Sequence, residues 1–262
     1  MAESVVYATL ILAGIVIGSF LNVVIHRGPA LWGLVDDAAP RGGLTGPRSY
    51  CPACRAPIAR KNLIPLASYI ALKGKCAACG AAISARYPIV ELSGGLVAAV
   101  AIAAFGFTGA ALAAALFGFA LVALAAIDLE TGYLPDAITL PLIGAGLTAN
   151  VFSIFVSPAN AAIGALAGFG SLWLIGAAYE RLRGREGLGL GDAKLFAAIG
   201  AWTGWAMLPL ILFLAALSTL AVIGVRALIG RESALDEAVP FGPGLCAAGF
   251  AGLLLARFVP TA

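Results

Sequence analysis

The chain has 262 residues, of which 61% are hydrophobic and only 11% charged, and its mean hydropathy is +1.01. That composition excludes a soluble globular domain and requires a polytopic membrane protein set in lipid. The formal net charge of +3 is no evidence for a nucleic-acid partner, because in a membrane protein the basic residues mainly report topology.

The first apolar segment, Val5 to Ile25, follows Met-Ala-Glu-Ser with neither a basic n-region nor a clear small-residue cleavage site. It reads as the first membrane helix rather than a removable signal peptide. The only long hydrophilic stretch comes next, residues 26–87, with nine Lys and Arg against Asp36 and Asp37. This excess assigns it to the cytoplasmic side. Seven further spans are predicted at 88–106, 109–127, 137–156, 160–180, 193–205, 207–228 and 241–258. Alternation then makes 26–87, 128–136, 181–192 and 229–240 cytoplasmic and both termini external. Arg181, Arg183, Arg185 and Arg231, with the boundary residues Lys194 and Arg226 at cytoplasmic span ends, bring the cytoplasmic total to fifteen of the sixteen Lys and Arg, leaving Arg257 outside.

The predicted fold is therefore an all-α polytopic membrane protein with about eight transmembrane helices. Residues 1–25 form the first helix, 26–87 a small cytoplasmic zinc-ribbon-like insertion, and 88–262 a transmembrane domain. The span at 193–205 is short for a bilayer, and it is expected to turn back at Ala201-Trp202-Thr203-Gly204-Trp205 with its indoles near an interface. Gly14/Gly18, Gly164/Gly168 and Gly200/Gly204 have the spacing that permits close helix packing.

Within 26–87, Cys51-Pro-Ala-Cys54 and Cys76-Ala-Ala-Cys79 repeat with an offset of 25 residues, which Ile58 and Ile83 share. This is a duplicated knuckle. Four thiolates so placed suit tetrahedral Zn(II), and a ribbon with little apolar core needs such a staple. With four protein ligands the metal is structural rather than catalytic; free or disulfide-bonded cysteines are the alternative. Cys246, alone in an apolar segment, reads as a small buried hydrophobe. His26, the only histidine, reads as an interfacial anchor at a helix end, with a minor ligand role left open.

Two acids stand at the ends of apolar runs and, by the alternation above, at the same membrane edge. Asp128 lies in Ala126-Ile127-Asp128-Leu129-Glu130, and Asp192 ends the glycine-rich stretch Gly187-Leu188-Gly189-Leu190-Gly191-Asp192. Two close carboxylates can share a proton and activate water, while Gly189 and Gly191 let a substrate backbone approach and bind beside Asp192. The bland reading is a pair of interfacial charges, with Asp192 an N-cap or first-turn residue. Asp136 has an equal claim to capping. A dinucleotide fingerprint is disfavoured, because a membrane helix and a basic turn precede the glycines where a strand is needed.

The ordered motifs carry a resemblance over nearly the whole chain. Gly18-Ser-Phe-Leu-Asn-Val-Val-Ile-His-Arg27, Ser49-Tyr-Cys-Pro-Ala-Cys54, Ile64-Pro-Leu66 and Arg86-Tyr-Pro-Ile-Val-Glu91 resemble the prepilin peptidases of type IV pilus and type II secretion systems. So do Asp128-Leu-Glu-Thr-Gly-Tyr-Leu-Pro-Asp136, Gly189-Leu-Gly-Asp-Ala-Lys-Leu195 with Gly200-Ala-Trp202, and Pro240-Phe-Gly-Pro243. The resemblance implies a bifunctional enzyme of the inner membrane, a GxGD-type intramembrane aspartyl protease. Such an enzyme cleaves the basic leader from prepilins and pseudopilins after a glycine, at the cytoplasmic face. It then methylates the new N-terminus with S-adenosylmethionine. The family's catalytic aspartates fall on Asp128 and Asp192, and its tetracysteine segment on Cys51, Cys54, Cys76 and Cys79. No donor-binding residue can be matched; segment 26–87 is the candidate region, where Asp36 and Asp37 could balance a sulfonium, although a solvated loop is the preferred reading of that pair. The rival readings are a proton-coupled transporter and a non-enzymatic zinc-bearing scaffold.

Overall fold

The computed structural model describes residues 2–36, 41–184, 187–229 and 239–257. Asp37, Arg185, Arg231 and most of segment 229–240 lie outside the described residues. The chain divides into two compact units, Met1–Ala123 and Leu124–Ala262.

In the first unit, α1 (Ala2–Leu31) packs against α3 (Arg86–Phe105). Glycines make the seam. A Cβ on Gly14 would lie 2.6 Å from the Gly94 carbonyl oxygen, and one on Gly18 2.8 Å from the Glu91 Cα. Only bare backbone fits there, as the four-residue spacing predicts.

Helix α1 runs six residues past the predicted end, so His26 and Arg27 lie within it. The reason is that Arg27 is buried and paired: its guanidinium donates to the carbonyls of Gly43 at 2.7 Å and Pro47 at 2.8 Å. A charge satisfied by carbonyls has no need to end the helix at water. The hydrophilic segment between contains a 3-10 turn, Arg60–Leu63, and the short α2, Ala67–Ala71. It is tied to the helices by Leu66 N–H donating to Glu91 Oε2 at 2.8 Å and Arg41 Nη1 donating to the His26 carbonyl at 2.7 Å.

Helix α4 (Gly109–Thr131) leads into the second unit, which continues with α5 (Asp136–Val151), α6 (Pro158–Arg183), α7 (Leu190–Thr203), α8 (Leu208–Leu228) and α9 (Gly242–Ala256). Among the described residues, five helices are long and apolar enough to cross a membrane: α1, α3, α4, α6 and α8 with its leading 3-10 turn. The other three predicted spans, α5, α7 and α9, have 16, 14 and 15 residues. At 1.5 Å per residue they reach roughly 21–24 Å, short of a 30 Å hydrocarbon core.

The shortest of them is central. Ala193 and every residue from Leu195 to Thr203 in α7 are buried, with α5, α6 and α9 packed around it. Surrounded by protein rather than lipid, α7 has no bilayer thickness to match. Gly164 of α6 and Gly200 of α7 meet backbone to backbone, and Gly168 meets the Phe196 carbonyl.

The turn expected at 201–205 is present. α7 ends at Gly204 in a left-handed conformation (φ +75°), and a 3-10 turn, Trp205–Met207, leads into α8. The indoles, however, part company. Trp205 is half exposed, whereas Trp202 is buried and donates to the Leu142 carbonyl at 2.9 Å, in space left by Gly146. Asn150 completes the joint: it donates to the Ala201 carbonyl at 2.8 Å and accepts from Phe155 and Val156 N–H. A fully satisfied buried amide of this kind fixes α5 against the end of α7.

Candidate active site and metal centre

Asp128 occupies the last turn of α4. The helix is stopped one turn later by Gly132, whose φ of +69° lets its N–H return to the Asp128 carbonyl at 2.8 Å. The Asp128 side chain is 6% exposed. Its Oδ2 accepts the backbone N–H of Gly242, the first residue of α9, at 3.0 Å. A Cβ at Gly242 would stand 2.5 Å from that oxygen, so only glycine brings the helix terminus this close.

Asp192 is the third residue of α7, with Gly189 as the N-cap. It is therefore a first-turn residue and not the cap itself. Its N–H donates to the Gly189 carbonyl at 3.1 Å, and its carboxylate lies against the Gly189 N–H. The acid at the third position reaching back to the cap nitrogen is half of a capping box. Asp192 is half-buried while Gly189 and Leu190 are exposed, leaving extended backbone bare beside the carboxylate. The two acids are close enough to interact electrostatically, and buried Cys246 lies within reach of both. One carboxylate is buried and anchored; the other is half-buried beside exposed backbone. The reading of Cys246 as a buried hydrophobe agrees with its 3% exposure.

Asp136, expected to cap α5, makes no side-chain cap; the N-cap is Pro135. Both of its oxygens instead lie 2.7 Å from Lys194 Nζ. Gly191 faces Leu134, whose Cβ would be 3.1 Å from a Cβ added there. Sequence reasoning did not single out Gly242 or Lys194, although both sit inside motifs quoted for the resemblance.

The four cysteines converge. Their Sγ atoms all lie within 4.8 Å of one another, with Cys51 and Cys79 at 4.0 Å. Four thiolates around a tetrahedral ion at about 2.3 Å stand about 3.8 Å apart, so the cluster has the size a zinc ion needs. The alternative of disulfides fails, since all four thiols are unbridged.

The duplication seen in sequence is repeated bond for bond. Cys51 N–H donates to Ala56 and Cys76 N–H to Ala81; Arg55 N–H returns to Cys51 and Gly80 N–H to Cys76; Ile58 pairs with Ser49 and Ile83 with Gly74. Each knuckle turns on one left-handed residue, Arg55 (φ 60°) or Gly80 (φ 73°). The sulfurs are electrostatically unequal. Cys76 is pulled down to about 6 by the Cys79 N–H, then the Ala78 N–H and the Cys51 thiol. Cys79 is pushed up to about 11: the Ala81 N–H opposes the rise, but hydrogen bonding with Cys54 foremost outweighs it. Of the two, only Cys76 is drawn toward the thiolate form that a metal binds.

A buried and a half-buried acid at helix ends, beside a glycine-rich approach, are the groups an aspartyl hydrolase set in a membrane would use. The chain belongs to the type IV leader peptidase family: residues 114–224 match that family and residues 12–105 match the Bacterial Peptidase A24 N-terminal domain. A prepilin leader peptidase/N-methyltransferase of Burkholderia pseudomallei (strain 1026b) is 46% identical over 258 residues, covering 93% of this chain and 83% of the relative. Proteins of the same name from Neisseria gonorrhoeae and Pseudomonas aeruginosa are 41% and 42% identical, covering 90% and 93% of this chain and 86% and 88% of their own. No solved structure matches the chain.

Proposed function

We propose that this chain is an aspartic endopeptidase of the bacterial inner membrane that removes the basic leader of type IV prepilins and pseudopilins, and then N-methylates the new terminus. Residues 26–87 form its cytoplasmic metal-bearing insertion and residues 88–262 its peptidase domain. The observation that carries the hydrolytic reading is Asp128, buried and held by the Gly242 N–H, within electrostatic reach of the more open Asp192. One carboxylate, ionised, takes a proton from water; the hydroxide attacks the scissile carbonyl, whose oxygen is hydrogen-bonded by the other, protonated, carboxyl. Collapse breaks the C–N bond as a proton passes to the departing amine. Gly189 and Gly191 bind the unwound substrate backbone. Cleavage occurs at the cytoplasmic face after a glycine, with the basic leader remaining inside.

Cys51, Cys54, Cys76 and Cys79 hold one structural zinc, which the sulfur spacing supports. S-adenosylmethionine supplies the methyl group. In the first unit, Asn22 Oδ1 is a buried acceptor with no hydrogen-bond partner among the described residues, and the buried Glu91 carboxyl accepts the Leu66 N–H. A buried acceptor and a buried carboxyl suit an amine-bearing sulfonium donor. The proton-coupled transporter lacks a supporting feature: both acids lie at helix ends, whereas transport carboxylates lie midway along their spans. Incubating the purified protein in detergent with a prepilin tests the assignment, a shortened product being expected. An unchanged substrate alongside folded protein would refute it.

A further inference from the structure

Asp136 and Lys194 are far apart in sequence but bracket the two carboxylates. Asp136 lies just beyond the short turn that follows the Asp128 helix; Lys194 comes two residues after Asp192. Lys194 Nζ sits 2.7 Å from both Asp136 oxygens, so the ammonium bisects the carboxylate. A second contact runs parallel to the first, with Leu134 seated on Gly191. The turn leaving Asp128 is thus fastened at two points to the helical turn that carries Asp192.

The ion pair is open to water, its side chains being 28% and 53% exposed. Pairs so exposed add little to folding stability. Holding the fold together is done elsewhere, by the buried faces of α7 and the glycine seam with α6. What the pair can fix is register. Two carboxylates that share one proton and one water must keep their separation to a fraction of an ångström, and each is mounted on a different helix end. We propose that the Asp136–Lys194 pair is a positioning clamp that sets the separation of Asp128 and Asp192 for leader cleavage. This rests on the reading of those two aspartates as the water-activating pair. Neither clamp residue touches the reacting atoms.

The test uses the full-length protein in detergent with a prepilin substrate, measuring kcat and KM separately, together with the thermal midpoint and methylation of a pre-cleaved pilin. Asp136→Asn and Lys194→Gln should each lower the cleavage kcat by about ten- to a hundredfold, as expected of misplaced catalytic groups. KM, the thermal midpoint and methylation should stay near wild type. The double variant should be no slower than either single one, because the clamp is lost once. The swapped pair, Asp136→Lys with Lys194→Asp, should recover most of the lost rate.

Single variants with wild-type kcat, an additive double, a swap as slow as the singles, or a rate loss tracking a fall in thermal midpoint would each overturn the clamp. Should a single variant fail to fold, the swap alone decides. Asp128→Asn and Asp192→Asn run beside them: if these still cleave, the dyad reading is what fails. If they are dead while the Asp136 and Lys194 variants are intact, only the clamp falls.

Discussion

Gly242→Ala is the sharpest probe of how Asp128 is held. The new methyl carbon would stand 2.5 Å from Asp128 Oδ2 and 3.0 Å from its Cγ. Such contacts relax only near 3.5 Å, so the carboxylate must retreat by roughly 1 Å and give up the N–H bond now at 3.0 Å. What yields is the end of a side chain rather than backbone, so the fold survives. A displacement of that size costs about 10²-fold in rate, equivalent to about 2.7 kcal/mol in the barrier. The assay is prepilin shortening under saturating substrate, with the thermal midpoint followed in parallel. An alanine enzyme within about threefold of wild-type kcat would show that the α9 terminus does not position Asp128 for chemistry.

Asp128→Asn and Asp192→Asn should each lower cleavage by at least about 10³-fold in folded protein, because one remaining carboxyl cannot be both base and acid; substantial cleavage by either removes that residue from the pair. Protein purified without chelator should carry one zinc per chain by metal analysis, and its removal should raise proteolysis and hydrogen exchange across residues 48–86 while leaving the α6–α7 seam protected; no zinc, or uniform loosening, would count against a structural site. Acidification should release the metal, since protons compete with it for the thiolates. Finally, the Asp128 and Asp192 variants should still methylate a pre-cleaved pilin, because activating water has no part in moving a methyl group to an amine; a folded variant that cannot do so would place both activities in one site.

The helices and the ribbon were legible because each is written locally. Eight apolar runs correspond to eight apolar helices among the described residues, with ends near those predicted from residue 88 onward, and the 25-residue offset of the cysteines reappears as a duplicated set of backbone hydrogen bonds. What escaped is long-range pairing that changes the meaning of a local signal. Arg27 looked like the start of a water-facing loop, yet carbonyls at Gly43 and Pro47 let it sit inside a helix. Asp136 follows a proline at a helix start, the usual place of a cap, but its partner is 58 residues away. Trp202 looked interfacial until Gly146 made room for it and Leu142 supplied an acceptor. Gly242 and Asp128 are separated by 114 residues, and nothing in either neighbourhood announces the other.

Two of the three short helices of the second unit share a purpose that their length makes possible. Each presents its N-terminal turn to a carboxylate: α9 gives the Gly242 N–H to Asp128, and α7 carries Asp192 folded back toward its own cap. The first turn of any helix has N–H groups without intrahelical partners and the positive end of the helix dipole. In a membrane such groups cannot be left to lipid, and a full-length span would carry them out to the headgroups. Stopping a helix short places its donors inside the protein, where a carboxylate can satisfy them. The same shortness that leaves α7 and α9 below the length of a full membrane span is what brings polar termini together around Asp128 and Asp192.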